Sequence, residues 1–355
     1  MKTGNSFALV FLLGLLILTS AQGVRAQENL PPPPPAPTPK PTPYVPKDSD
    51  YDVVRVNSNL VIVPVSVTNA KGDPVLGLSI GDFRLEEEGR AQEITQIGDP
   101  EQVPLEIAIL LDISGSVNAR IDFEKEAAAR FLRQVLKPND RATVFTISIT
   151  PRMELQRASA EAAAARLKTL QATRGPTAFF DTVVEAARYL AQSTPAQHRR
   201  VIVVISDGED NYSERIKAAI GDTAEAQRSA APQTQAVVYG RAQTEVEREV
   251  QRAEAAFYSI NPSGQALKLN IISQRAQDGM ARLANATGGN SFVPERLEDL
   301  DGVFRQIAAE LRSQYLLQYY SSDQTQNPNF RRIRVAVPTR SELRVRARQG
   351  YYPKK

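Results

Sequence analysis

Two short runs, Ile107–Leu111 and Val201–Ile205, are apolar at every position. A strand without a polar side must be covered on both faces, which is the situation of a strand inside a parallel sheet wrapped by helices. The segments around them have helical spacing. Ile121, Ala128, Phe131, Leu132 and Val135 mark a helix over 121–136 that Pro138 stops, and Phe180, Val183, Val184, Ala187 and Leu190 mark another over 177–190. A strand over 142–149 and an alanine-rich helix over 160–170 lie between them, and beyond Ile205 come a helix near 246–255, a strand at 256–260, a helix near 276–286, a short strand at 291–293 and a helix over 297–311. This alternation predicts an α/β fold, a Rossmann-like parallel sheet with helices on both faces, whose ligands bind beyond the carboxyl ends of the strands.

The flanks obey a different period. From Tyr51 to Ile97 branched residues alternate with polar ones, as in Leu60-Val61-Ile62-Val63-Pro64-Val65-Ser66-Val67-Thr68 and Phe83-Arg84-Leu85-Glu86, with turns at Asn69–Asp73 and Glu88-Gly89. That pattern reads as antiparallel strands. Fewer than fifty residues of sheet make a thin core, so further strands are expected from 314–320, 331–337 and 343–348, completing a small antiparallel β-sandwich from both ends of the chain. The plan is a leader at 1–26, a linker at 27–50, a β unit at 51–103, an α/β domain at 104–312 and completing strands at 313–355. The stretch 223–246 is longer than the alternation requires and reads as an inserted loop or an extra strand near the ligand edge.

Lys2, the twelve-residue apolar run Phe7–Leu18 and the small residues of Val24-Arg25-Ala26 describe a secretory signal cleaved after Ala26, too short for a comfortable permanent span. An uncleaved anchor is the alternative. The mature protein is expected outside the cytoplasm, in the periplasm, cell envelope or extracellular space, without a stable membrane span. Ten of the 24 prolines fall in residues 31–46, enough for a stiff polyproline spacer of about 50 Å.

With no cysteine there is no disulfide, thiolate metal site or lipid attachment through a thiol, and one histidine, His198, cannot build a multi-histidine site. His198 sits in a polar stretch that reads as a solvated loop. The chain has no Gly-x-Ser-x-Gly elbow and no phosphate-binding glycine loop. Forty-three basic against 40 acidic residues leave +3, which gives no support to a nucleic-acid partner.

Asp112-Ile113-Ser114-Gly115-Ser116 follows the first apolar strand, Ser206-Asp207-Gly208-Glu209-Asp210 follows the second, and Gly175-Pro176-Thr177 opens the helix between them. Asp112, Ser114, Ser116, Thr177 and Asp207 are five hard oxygen donors expected at one sheet edge. Such a set suits Mg²⁺, with Mn²⁺ or Ca²⁺ as alternatives, and leaves a coordination position open. Taken singly, Ser114-Gly115-Ser116 reads equally as a helix cap and Asp207-Gly208 as a turn. Glu209 and Asp210 read as solvated turn residues, and Asn211-Tyr212-Ser213 and Asn285-Ala286-Thr287 have the form of glycosylation acceptors, Asn285 fitting a helix end better.

Asp112-x-Ser114-x-Ser116 with the later Thr177 and Asp207, in that order and strand context, resembles the metal-ion-dependent adhesion site of von Willebrand factor type A domains, over residues 104–312. Pro176 stands where the family usually has a glycine; it stiffens the loop and leaves the hydroxyl in place. The resemblance implies that Ser114, Ser116 and Thr177 supply hydroxyl oxygens, that Asp112 and Asp207 act largely through bound water, and that an acidic group of a protein partner completes the shell. The flanking Val67-Thr68, Gly77-Leu78, Asp82-Phe83, Glu87-Glu88-Gly89, Gln318-Tyr319-Tyr320 and Gly350-Tyr351-Tyr352 are similar to secreted bacterial proteins of acidobacterial type that carry such a domain. The expected function is an exported, non-enzymatic protein-binding or adhesion module. A metal-independent envelope scaffold and a metal-assisted hydrolase using Glu209 or Asp210 as base are the alternatives.

Overall fold

The computed structural model describes residues 60–353, except 115–119, 174, 222, 265–270, 324 and 326. The leader, the proline-rich spacer and the start of the first β unit lie outside the described residues, as does Ser116. All described residues belong to one compact unit, Asn57–Lys355.

In chain order the strands are β1 Leu60–Thr68, β2 Arg84–Glu87, β3 Arg90–Gln92, β4 Ile94–Gly98, β5 Leu105–Asp112, β6 Arg141–Ile147, β7 Arg152–Ala158, β8 Arg199–Ile205, β9 Ala255–Ile260, β10 Ser291–Phe292, β11 Tyr315–Tyr320, β12 Arg331–Ala336, β13 Arg344–Ala347 and β14 Gly350–Tyr351. The helices are α1 Ile121–Val135, α2 Ala160–Thr169, α3 Phe179–Ser193, α4 Glu214–Ile220, α5 Ala224–Ser229, α6 Pro232–Arg252, α7 Ile271–Thr287 and α8 Leu300–Arg312.

The apolar strands pair as neighbours. The central sheet runs β10-β9-β8-β5-β6-β7, parallel throughout except for β7, which turns back antiparallel on β6. Every residue of β5 and β8 is buried, because side chains alternate between two helical layers. Ile107, Ile109 and Leu111 face α1, α2 and α8, where Phe131 stacks on Phe304 at 4.9 Å between ring centres. Ala108 and Leu110 face α3, α6 and α7 through Val183, Val246 and Met280. The α/β expectation therefore holds. The edge strand β7, Arg-Met-Glu-Leu-Gln-Arg-Ala, had no sequence signal because its residues are exposed or half-buried, so no apolar period marks it.

The flanks form two four-stranded antiparallel sheets, β13-β1-β11-β4 and β14-β12-β2-β3, each mixing strands from the two ends of the chain. Val61, Val63, Val65 and Val67 of β1 point to one side and meet Phe83, Leu85, Leu317, Tyr319 and Ile333 in a shared core. The β2–β3 hairpin turns on Glu88 and Gly89, both at positive φ (49° and 76°), as a tight two-residue hairpin requires.

The stretch 223–246 is neither a loop nor a strand; it is α5 and most of α6, with Pro232 in the first turn of α6. Ala242, Val246 and Val250 bury a stripe at four-residue spacing, whereas Val237 in the front half is half-exposed. In the front half Val238 and Tyr239 continue the stripe, half-buried against the same core, but the run Val237-Val238-Tyr239-Gly240 resembles a strand in sequence. Among the described residues, no helix is long and apolar enough to cross a membrane.

Candidate functional site

β5 and β8 are neighbours in register, Leu111 opposite Ile205, so the residues that follow them emerge side by side at the carboxyl edge. Asp112 is buried there. Its Oδ1 accepts from the Ser114 backbone N–H at 2.9 Å, and its Oδ2 accepts from the Ser206 hydroxyl at 2.7 Å. Ser206 Oγ also accepts from Gly208 N–H at 3.0 Å, so one serine fixes both the carboxylate of the first loop and the backbone of the second. Nothing in the pattern Ser-Asp-Gly singled this serine out.

Asp207 stands half-buried beside them, its Oδ1 accepting from Glu209 N–H at 3.1 Å. Gly208 has φ +77°, and a Cβ there would lie 2.7 Å from Met280, so the turn needs glycine on both counts.

α3 begins at Phe179, two residues later than its spacing suggests, and this leaves Thr177 in the loop before it. Thr177 is buried. Its N–H donates to Asn211 Oδ1 at 2.7 Å and its carbonyl accepts from Asn211 and Tyr212 N–H, so the Thr177 loop is clasped to the loop after β8. Asn211 is therefore a loop clasp. A second tie joins Thr173 to the Ile113 carbonyl at 2.7 Å. The structure thus brings Asp112, Ser114, Thr177 and Asp207 to one edge on cross-linked loops; Ser116 lies outside the described residues.

Asp210 is not a solvated turn residue. It is buried and accepts from Phe180, Ser213 and Tyr212 N–H at 2.7, 2.9 and 3.2 Å, and from the Ser213 hydroxyl. Phe180 is in the first turn of α3, whose own N-cap, Ala178, has no capping side chain; Asp210 supplies that cap from the neighbouring loop. Local sequence could not reveal this, because the cap is thirty residues away from the helix it serves. Glu209 is half-buried and accepts from the Ser273 hydroxyl at 2.5 Å. Tyr239 of α6 donates to the Asp210 carbonyl at 2.5 Å, so the misread stretch buttresses the edge.

Acids dominate the electrostatics of the edge, with the guanidinium of Arg120 opposing them. Burial pushes the Asp207 carboxyl up to about 6, with the negative charges of Asp112 and Glu209 adding to the effect. Burial likewise raises Asp112 above the usual carboxylate range and takes Asp210 to about 6. Neither Asp112 nor Asp207 takes part in an ion pair among the described residues. Buried carboxylates without a counter-charge, set among hydroxyl oxygens, suit a hard cation. Among the described residues no three His, Cys, Asp or Glu side chains cluster as metal ligands. The donor set at this edge does not need such a cluster, since it draws on hydroxyls for the rest.

His198 is not a solvated loop residue. It precedes β8 at the opposite edge of the sheet, half-buried, with Nδ1 3.1 Å from the buried Glu106. The seven residues of β8 separate it from the loop after Ile205, about 20 Å at the usual strand rise.

Residues 107–209 match the family model of the von Willebrand factor type A domain, and the chain carries a domain of that type. No curated protein matches the sequence. Solved structures with some likeness include proximal thread matrix protein 1 from the mussel byssus, in a form with a zinc-occupied metal-ion-dependent adhesion site (15% identity, 63% of this chain, 49% of that one, TM-score 0.43). Others are the PilB minor pilin from Streptococcus sanguinis (16%, 60% and 62%, TM-score 0.44) and the conserved hypothetical protein BatB from Bacteroides thetaiotaomicron (17%, 59% and 100%, TM-score 0.38). The chain spans about half the length of the mussel protein. Likeness at this level says nothing of what the present chain binds.

Proposed function

We propose that this chain is an exported binding module that holds a divalent cation, Mg²⁺ or in its place Mn²⁺ or Ca²⁺, with Asp112, Ser114, Ser116, Thr177 and Asp207, and presents it to an acidic group of a protein partner. The observation that carries this reading is the pair Asp112 and Asp207, set side by side on clasped loops and lacking any ion-pair partner among the described residues. A divalent ion neutralises both and, with an incomplete shell, recruits a further carboxylate. In this reading residues 104–312 form the binding domain, 51–103 and 313–355 form the β unit that supports it, and 27–50 is the spacer. No catalysis is assigned. Asp210 is committed to capping α3, Glu209 to Ser273, and His198 stands at the far edge, so the bases weighed for a hydrolase have other roles.

The test is binding of a display library of short peptides by the full-length protein. Peptides enriched in Mg²⁺ should each carry an Asp or Glu that cannot be replaced by its amide, and should be released by chelator and by Asp112→Ala. Enrichment unchanged by chelator or by Asp112→Ala would sink the proposal.

A further inference from the structure

Glu124 lies in the first turn of α1, just beyond the loop that carries Ser116, and its side chain is 0% exposed. Among the described residues neither of its carboxyl oxygens has a hydrogen-bond partner. Every other buried carboxylate among the described residues is answered: Glu87 by Tyr319 and Arg331, Glu106 by Arg157, Asp140 by Arg312, Glu310 by Tyr258 and Arg346, and Asp112 and Asp210 by the donors described above. Protonation does not resolve the anomaly, because a neutral acid would bury a hydroxyl donor that has no acceptor. The helix dipole favours an acid in the first turn only weakly, by far less than burying an unpaired charge costs.

α1 follows β5 directly through the loop after Asp112, so its first turn starts at the carboxyl edge of the sheet, where Asp207 also emerges. Burial pushes Glu124 up to about 7, the guanidinium of Arg120 opposing the shift and the carboxylates of Asp112 and Asp207 adding to it. Arg120 is itself held by the Pro262 carbonyl at 3.0 Å and the Ser263 hydroxyl at 3.3 Å. A residue of this kind replaces the alanine or leucine that the inner face of a helix would otherwise carry, beside Ile121, Ala127 and Ala128.

We infer that Glu124 serves the cation site from behind Asp112 and Asp207, as an outer acceptor that bonds water held by the ion and does not touch the ion itself. The inference rests on the cation site proposed above and deepens it. Three carboxylates against a divalent charge make the site able to hold its ion before any partner arrives, and they give α1 a direct stake in whether the ion is bound.

The test is calorimetric titration of Mn²⁺ into the full-length protein and into Glu124→Gln, Glu124→Met and Asp112→Ala, with thermal unfolding of each in chelator and in Mn²⁺. Loss of an outer acceptor of this kind weakens metal binding by about 10–100-fold. We expect that loss in Glu124→Gln and Glu124→Met, together with an unfolding temperature in chelator equal to or above that of the parent. The rise in unfolding temperature produced by Mn²⁺ should shrink in both. Parent-like Mn²⁺ affinity in the two Glu124 variants, with binding abolished in Asp112→Ala, would overturn the assignment of Glu124 and leave the cation site standing. Failure of both variants to fold in chelator would mark Glu124 as structural and also overturn it. Absence of saturable binding by the parent would remove the cation site itself.

Discussion

The carboxyl edge of the central sheet and the rest of the molecule treat buried acids in opposite ways. In the β-sandwich Glu87 accepts from Tyr319, Ser321 and Tyr351 at 2.6, 2.6 and 3.1 Å and meets the Arg331 guanidinium at 3.4 Å. At the amino edge of the sheet Glu106 is paired with Arg157 at 2.7 Å, while Asp140 accepts from Leu105 and Lys137 N–H and meets Arg312. These acids hold the structure together, since each carries its counter-charge within the chain. At the carboxyl edge Asp112, Asp207 and Glu124 meet hydroxyls, amides or nothing. Among the described buried acids, those away from this edge have a counter-charge within the chain and those at it do not, which is the contrast the proposed cation site draws on.

The sharpest way to break this contrast is to remove one acid from each region. Glu87→Ala leaves buried Arg331 with only the more exposed Asp323 as ion-pair partner and strips Tyr319 and Ser321 of their acceptor, and should cost about 3 kcal/mol in urea unfolding. Asp112→Asn removes an uncompensated charge, and in chelator it should leave stability unchanged or higher. An equal loss in both would erase the distinction.

Metal should act on one region only. At 100 times its Kd a ligand specific to the folded state adds about 2.7 kcal/mol. That increment is expected in Glu106→Gln, measured from its own lower baseline, and not in Asp112→Ala. A metal increment surviving in Asp112→Ala would place the ion elsewhere.

The acids of the carboxyl edge also predict a pH response. Asp210 titrates near 6 in the folded chain because burial outweighs its four hydrogen bonds, against about 4 for an ordinary carboxyl. The folded state therefore binds the proton more tightly, and this group's contribution to stability declines as pH rises from about 4 to about 6, then stays level. Asp210→Asn lacks the titration. The unfolding temperature of the parent relative to this variant should be highest near pH 4 and lower at pH 6 and above, and a difference that is flat from 4 to 6 would contradict the buried geometry. The smallest effect is expected from Arg157→Ala, below about 1 kcal/mol, because the arginine side chain is 38% exposed and Glu106 retains His198.

How much could be read in advance depended on how local each cause is. The apolar runs of β5 and β8, the stripes of α1 and α3 and the alternation of β1 are statements about periodicity, and each appears where its period placed it. Asp112, Ser114, Thr177 and Asp207 were legible for a related reason. They sit at the ends of strands that the pattern located, and strands adjacent in a parallel sheet deliver their ends to the same edge. β7 was not legible because its residues are exposed or half-buried, and the front half of α6 was not because its apolar residues, Val237-Val238-Tyr239, run together as in a strand.

The sequence alone determined the α/β alternation, the antiparallel flanks and the order of oxygen donors, all of which follow from spacing along the chain. Only the tertiary structure decided which charges are answered. Ser206 bonds Asp112 across two strands, Asp210 caps a helix thirty residues away, His198 finds Glu106, and Glu124 is enclosed with no partner. Partnership and desolvation are set by neighbours in space, and a carboxylate carries no mark in the chain of whether folding will give it a counter-charge or withhold one.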